Sequence, residues 1–132
     1  FENKNVNIKK IISMYKMKTA ALFSFSCSAP LILGKMKKKE INFASNFGNL
    51  FGLIFQITDD ILDEELDFKS LGKTPGKDKK QGKSTLLSKI KLKKLKNFCS
   101  SEIKNFEKQN KVYLAEFPIL KKLLYYNLDK LD

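Results

Sequence analysis

FQITDDILDEELDFKSLGKTPGKDKKQGKST, running from Phe55 to Thr85, is the stretch whose reading decides the rest of the chain. Its first part gathers six carboxylates (Asp59, Asp60, Asp63, Glu64, Glu65 and Asp67) into a span that contains no basic residue. A glycine-rich lysine segment follows at once, with Lys73, Lys77, Lys79, Lys80 and Lys83 spaced by Gly72, Gly76 and Gly82. The whole chain of 132 residues carries a formal charge of +12, so its acid is concentrated where base is absent. On a helix, side chains at i, i+3, i+4 and i+7 share a face. That spacing sets Gln56, Asp59, Asp60 and Asp63 together and turns Phe55, Thr58, Ile61 and Leu62 largely elsewhere.

Carboxylates on one helical face repel by about 0.2–0.5 kcal/mol per solvated pair, and by more if the face lines a cleft. These acids also fall where the helix is expected to end, near Leu66, and negative charge at a C-terminus opposes the helix dipole. A bound cation reverses both penalties. Hard oxygen donors suit Mg²⁺, which keeps several waters, uses one or two carboxylates and takes further ligands from a substrate phosphate. The lysines that follow supply the point charges a diphosphate needs. The residues thus point to a site for Mg²⁺ and diphosphate, against the alternative of a solvated acidic face. The ordered combination of Gln56, the apolar run FGLIF (51–55), LGKTPGKD (71–78) and GKST (82–85) favours the site.

At these residues the chain resembles the trans-type polyprenyl (isoprenyl) diphosphate synthases, the farnesyl and geranylgeranyl diphosphate synthases among them. FQITDDILD is similar to the second aspartate-rich motif of that family, and LGKTPGKD with GKST to the lysine segment after it. YKMKTAAL, Tyr15 to Leu22, resembles the family's Lys-Thr element. The likeness covers roughly positions 8 to 90, with three motifs in order.

The resemblance implies an all-α fold, a helical bundle of the isoprenoid synthase type, of which this chain is expected to be the C-terminal portion forming a single domain over 1–132. It implies a Mg²⁺-dependent prenyltransferase that joins an allylic diphosphate (dimethylallyl, geranyl or farnesyl) to isopentenyl diphosphate. By the same likeness Asp59 ligates Mg²⁺ directly, with Asp60 and Asp63 holding metal-bound waters or lysines. Lys18, Lys73 and Lys83 meet the allylic diphosphate, Lys18 and Thr19 face its reactive carbon, Gln56 orients the metal shell or the cation, and Asp78 positions a water or lysine. A homodimer in the cytoplasm is the family's usual form. Two departures stand out. The end NLDKLD lacks a basic cluster for isopentenyl diphosphate, and nothing resembles the family's first aspartate-rich motif. The chain starts at Phe1 rather than Met, so a fragment is expected, one that turns nothing over alone.

Composition narrows the chemistry further. All 26 basic residues are lysine, and histidine is absent, which removes the commonest general base and imidazole metal ligation. Cys27 and Cys99 stand alone with no CxxC or zinc spacing, so both are read as buried or half-buried thiols rather than a disulfide. No run of apolar residues is long enough to read as a transmembrane helix.

Helical periodicity organises the remainder. Ile8, Ile11, Ile12, Tyr15, Leu22 and Phe23 predict an amphipathic helix that ends near Ser28, because Pro30 pushes its predecessor out of the α region. Gly34–Lys39 reads as a basic connection. A second helix is expected from about Glu40 through the aspartates, its wide apolar stripe (Phe43, Ala44, Phe47, Leu50, Phe51, Ile54) buried on more than one side. Gly48 and Gly52, one turn apart, invite the close approach of another helix. A loop is expected between Asp67 and Gly82, then a helix capped by Ser84 or Thr85, then two packing helices carrying Phe98, Ile103, Phe106, Tyr113, Leu114, Phe117, Leu120, Leu123, Leu124 and Leu128.

Two rival functions remain at this stage. A pI near 9.7 admits nonspecific binding to nucleic acid, although arginine and an aromatic stacking platform are missing. A noncatalytic subunit of a heteromeric synthase would keep the fold and drop the chemistry.

Overall fold

The computed structural model describes residues 8–71 and 92–132, which are almost wholly helical, with no strand among the described residues. Helix α1 (Ile8–Tyr15) passes through a π-helical turn (Lys16–Ala20) into α2 (Ala21–Leu33). Helix α3 (Lys38–Leu71) returns along it, and α4 (Leu92–Gln109), α5 (Lys111–Glu116) and α6 (Pro118–Asp129) pack on its other side. The all-α expectation holds. Among the described residues no helix is long and apolar enough to cross a membrane.

The π turn reshapes the first predicted helix. Each π turn takes one residue more than an α turn, which rotates everything downstream by about 100° at ~3.6 residues per turn. Leu22, expected on the face of Tyr15, therefore points outward at 66% exposure, while Ala20 is buried and Phe23 leans on Phe51 and Phe55 with ring centroids 5.3 and 5.5 Å away. Leu22, Phe25, Ile32 and Leu33 together leave an exposed apolar surface on α2.

Helix α2 does not stop before Pro30 as expected; it continues to Leu33 with the proline inside its last turn. A proline there sacrifices one backbone donor, and only one turn remains to be disturbed. The Ser26 and Ser28 hydroxyls donate to the carbonyls of Leu22 and Ser24 at 2.9 Å, and the Gly34 N–H donates to the Pro30 carbonyl at 2.9 Å. The helix then closes in a Schellman arrangement. The Met36 N–H reaches the Leu31 carbonyl at 3.0 Å and the Lys35 N–H reaches Ile32 at 3.1 Å, with the positive φ (55°) carried by Lys35 rather than by its glycine neighbour.

Helix α3 begins at Lys38, slightly earlier than expected, and runs past Leu66 to Leu71, so the first residues assigned to a loop are helical. At 34 residues it spans about 51 Å at ~1.5 Å per residue. Phe43, Phe47, Leu50, Leu53, Ile54, Ile57 and Ile61 share one core with Tyr15 on one side and Leu95, Cys99, Ile103, Phe106, Leu114 and Leu124 on the other. The wide stripe is thus buried on two sides, as its width implied. Phe43 stacks on Tyr113 at 4.5 Å between centroids and lies 5.7 Å from Phe106.

Both glycines of α3 do what their spacing predicted. A Cβ at Gly48 would fall 2.5 Å from the Phe23 carbonyl oxygen and 2.7 Å from the Ser24 Cα; one at Gly52 would fall 2.8 Å from the Ala20 Cα. These obstacles are mostly backbone, so the two helices sit closer than any side chain permits. The Ser24 and Ser45 hydroxyls pair across the same seam at 2.7 Å.

From Asn97 onwards the chain forms three helices where two were expected, and the cap expected at Ser84 or Thr85 lies outside the described residues. Phe117 leaves the helical region (φ −123°, ψ 72°), and Pro118 starts α6, a position where its missing N–H costs nothing. Both cysteines are free thiols, as predicted. Cys99 lies wholly in the core, and burial, with a smaller push from Glu102, holds its pKa up at about 12.

Candidate active site

The π turn is where the sequence places Lys18 and Thr19, and π turns inside α-helices recur at functional sites. Directly across from it lies the part of α3 that carries Gln56, Asp59, Asp60 and Asp63. The Thr19 hydroxyl donates to the Gln56 Oε1 at 2.6 Å. The Gln56 Nε2 donates in turn to the Asp60 Oδ1 at 2.9 Å, and the Tyr15 hydroxyl donates to the Asp60 Oδ2. Four side chains thus form one polar chain joining the helix end at Tyr15, the π turn and the aspartate helix.

Sequence reasoning found three of these four. Tyr15 was counted as an apolar position and as the first residue of the Lys-Thr stretch, with no role in the site, and it is buried to 2% with its ring in the core and its hydroxyl on Asp60. Its place one turn before Thr19 was the available signal. On α3, Thr58 is also buried, and its hydroxyl has no hydrogen-bond partner among the described residues.

The other predicted groups surround this chain. Asp59 and Asp63 are exposed, Asp60 and Gln56 are half-buried, and Lys18 is exposed on the π turn. Lys73, Lys83 and Asp78 lie outside the described residues. Among the described residues no group of three or more Asp, Glu, Cys or His converges tightly enough to hold a metal unaided. The donor set nevertheless fits Mg²⁺ in its usual form, because that ion takes one or two carboxylates and completes its shell with water and phosphate oxygens. Two exposed carboxylates about one turn apart, with the carboxylate between them already tied down, are such a set.

The polyprenyl synthetase family model matches residues 1–116, nearly the whole chain, and includes every residue named above in the site. The chain belongs to the polyprenyl synthetase family. A crystal structure of a geranyltransferase from Helicobacter pylori 26695 has the same fold, with a TM-score of 0.62 at 23% identity. That alignment covers 99% of this chain and 42% of the geranyltransferase, so the chain spans less than half the length of that structure. No curated protein sequence gives a significant match. Thr19 of the Lys-Thr pair and Gln56 and Asp60 of FQITDDILD meet in space through these hydrogen bonds, and most of the third motif lies outside the described residues.

Proposed function

We propose that these residues form the allylic-diphosphate wall of a prenyltransferase that condenses an allylic diphosphate with isopentenyl diphosphate. The observation that carries the reading is the hydrogen-bonded chain from Thr19 through Gln56 to Asp60, which ties a Lys-Thr element to an aspartate-rich helix. In such a reaction the carbon–oxygen bond to diphosphate breaks first. The double bond of isopentenyl diphosphate then attacks the allylic cation, and a proton leaves to the departing diphosphate. No protein nucleophile is required, in keeping with a chain that has no histidine.

The residues divide the work by chemistry. Asp59, with Asp63, would hold Mg²⁺, which when bound supplies neutralising charge to the leaving diphosphate. Lys18 adds a fixed positive charge from the other wall, and Lys73 and Lys83 complete the grip on the phosphate oxygens. Thr19 gives its proton to Gln56, so its oxygen lone pairs are what it offers to a neighbouring cation. Asp60 keeps Gln56 in the orientation that receives Thr19, and Asp78 positions a water or lysine. A homodimer in the cytoplasm completes the proposal, and light scattering tests the dimer.

The experiment is product analysis of the whole protein with isopentenyl diphosphate and each of dimethylallyl, geranyl and farnesyl diphosphate. A Mg²⁺-dependent product longer by one five-carbon unit is expected. Asp59→Ala should lower turnover by about 100-fold or more, the scale of removing one electrostatic stabiliser of a transition state. Near-normal turnover in that variant removes the metal role.

A further inference from the structure

Of the three motif carboxylates, one is built differently from its neighbours. Asp60 alone is half-buried, and both of its oxygens are committed, one to the Tyr15 hydroxyl and the other to the Gln56 amide. Asp59 and Asp63 are exposed. The donor that makes this difference belongs to another helix, 45 positions away in the chain. Its ring is locked in the core among apolar side chains, so the phenol has little freedom to look for another orientation. A buried phenol finds a partner, and a hydrogen bond to a charged acceptor is roughly twice as strong as a neutral one.

We propose that Tyr15 is a positioning residue for this site: it fixes the carboxylate of Asp60 against the π turn, which leaves Asp59 and Asp63 to face Mg²⁺ and diphosphate and keeps Gln56 turned toward Thr19. The inference rests on the function proposed above and adds to it a residue, at the start of the Lys-Thr element, to which the likeness gives no role. Tyr15 touches neither metal nor substrate; it acts through Asp60. Its position at the last residue of α1, directly before the π turn, also makes it the link between the turn's register and the aspartate helix.

The test uses the whole protein and reads Mn²⁺ binding by electron paramagnetic resonance in the presence of inorganic diphosphate, beside a thermal melt. Tyr15→Phe removes one hydroxyl and keeps the ring in place. It should weaken Mn²⁺ binding about tenfold, the scale of losing a charge-assisted hydrogen bond, with the melting transition still cooperative. In an Asp60→Ala background the same substitution should change binding by less than about twofold, since its target is gone. Tyr15→4-aminophenylalanine keeps the ring and an N–H donor at the place of the hydroxyl, should stay within about threefold of the native protein, and carries the test if the Phe variant does not fold. A native Mn²⁺ midpoint in Tyr15→Phe, an effect that simply adds to that of Asp60→Ala, or a tenfold loss in Tyr15→4-aminophenylalanine overturns the assignment. Asp59→Ala separates the two levels: lost binding there with an unmoved Tyr15→Phe strikes only the role of Tyr15, whereas native binding there removes the metal reading and this inference with it.

Discussion

The two halves of α3 meet the first helical segment in opposite ways. From Phe43 to Leu53 the contact is apolar and as close as backbones allow, with Gly48 and Gly52 against Phe23, Ser24 and Ala20. From Gln56 to Asp63 the same helix faces the π turn through hydrogen-bonded polar side chains, and Asp59 and Asp63 stay in solvent. One helix therefore carries a clamp followed by a polar station. A glycine seam fixes helix separation to a fraction of an ångström because the groups in contact are backbone atoms, whereas Thr19, Gln56 and Asp60 must meet within hydrogen-bond distance a turn or two further on. The seam gives the polar chain its reach.

If the clamp sets the station, damaging it should damage both. Gly48→Ala places a Cβ against backbone that has nowhere to move, and we expect a loss of about 2–3 kcal/mol, at the upper end of overpacking costs, as read by thermal or denaturant unfolding. Gly52→Ala meets the Ala20 Cα and the movable ring of Phe23, so about 1–2 kcal/mol is expected. Being the glycine beside the π turn, Gly52 should nevertheless show the larger loss of diphosphate binding for each unit of stability lost. Equal binding in Gly52→Ala and the native protein would uncouple the two halves. Lys35→Gly is the control outside both regions. It relieves a left-handed lysine at the end of α2 and should raise stability by about 1 kcal/mol without changing binding.

How far the sequence anticipated this contrast differs between the halves. The clamp was legible almost completely, since apolar spacing and the two glycines specify a buried helix with a close neighbour, and Phe43 and Phe106 are found in the core where their periodicity put them. The station was legible as residue types through the family likeness, yet its wiring was not. A single extra residue in the π turn redirects every side chain after it, so Leu22 was assigned inward and is exposed, and Tyr15 was read as core filler while its hydroxyl holds Asp60. Pro30 was read as a stop from a local rule that one remaining turn and the packing against α3 override. Helix ends are decided by small energies, which explains why Leu66 and Glu40 were displaced while the helices themselves were not.

The most direct test of the account is a calorimetric titration of the whole protein with inorganic diphosphate, with and without Mg²⁺. Binding should require the metal, vanish in Asp59→Ala, and weaken about tenfold in Lys18→Ala, the scale of losing one charge-assisted contact. Diphosphate that binds equally well without Mg²⁺, and that ignores Asp59→Ala, would contradict it.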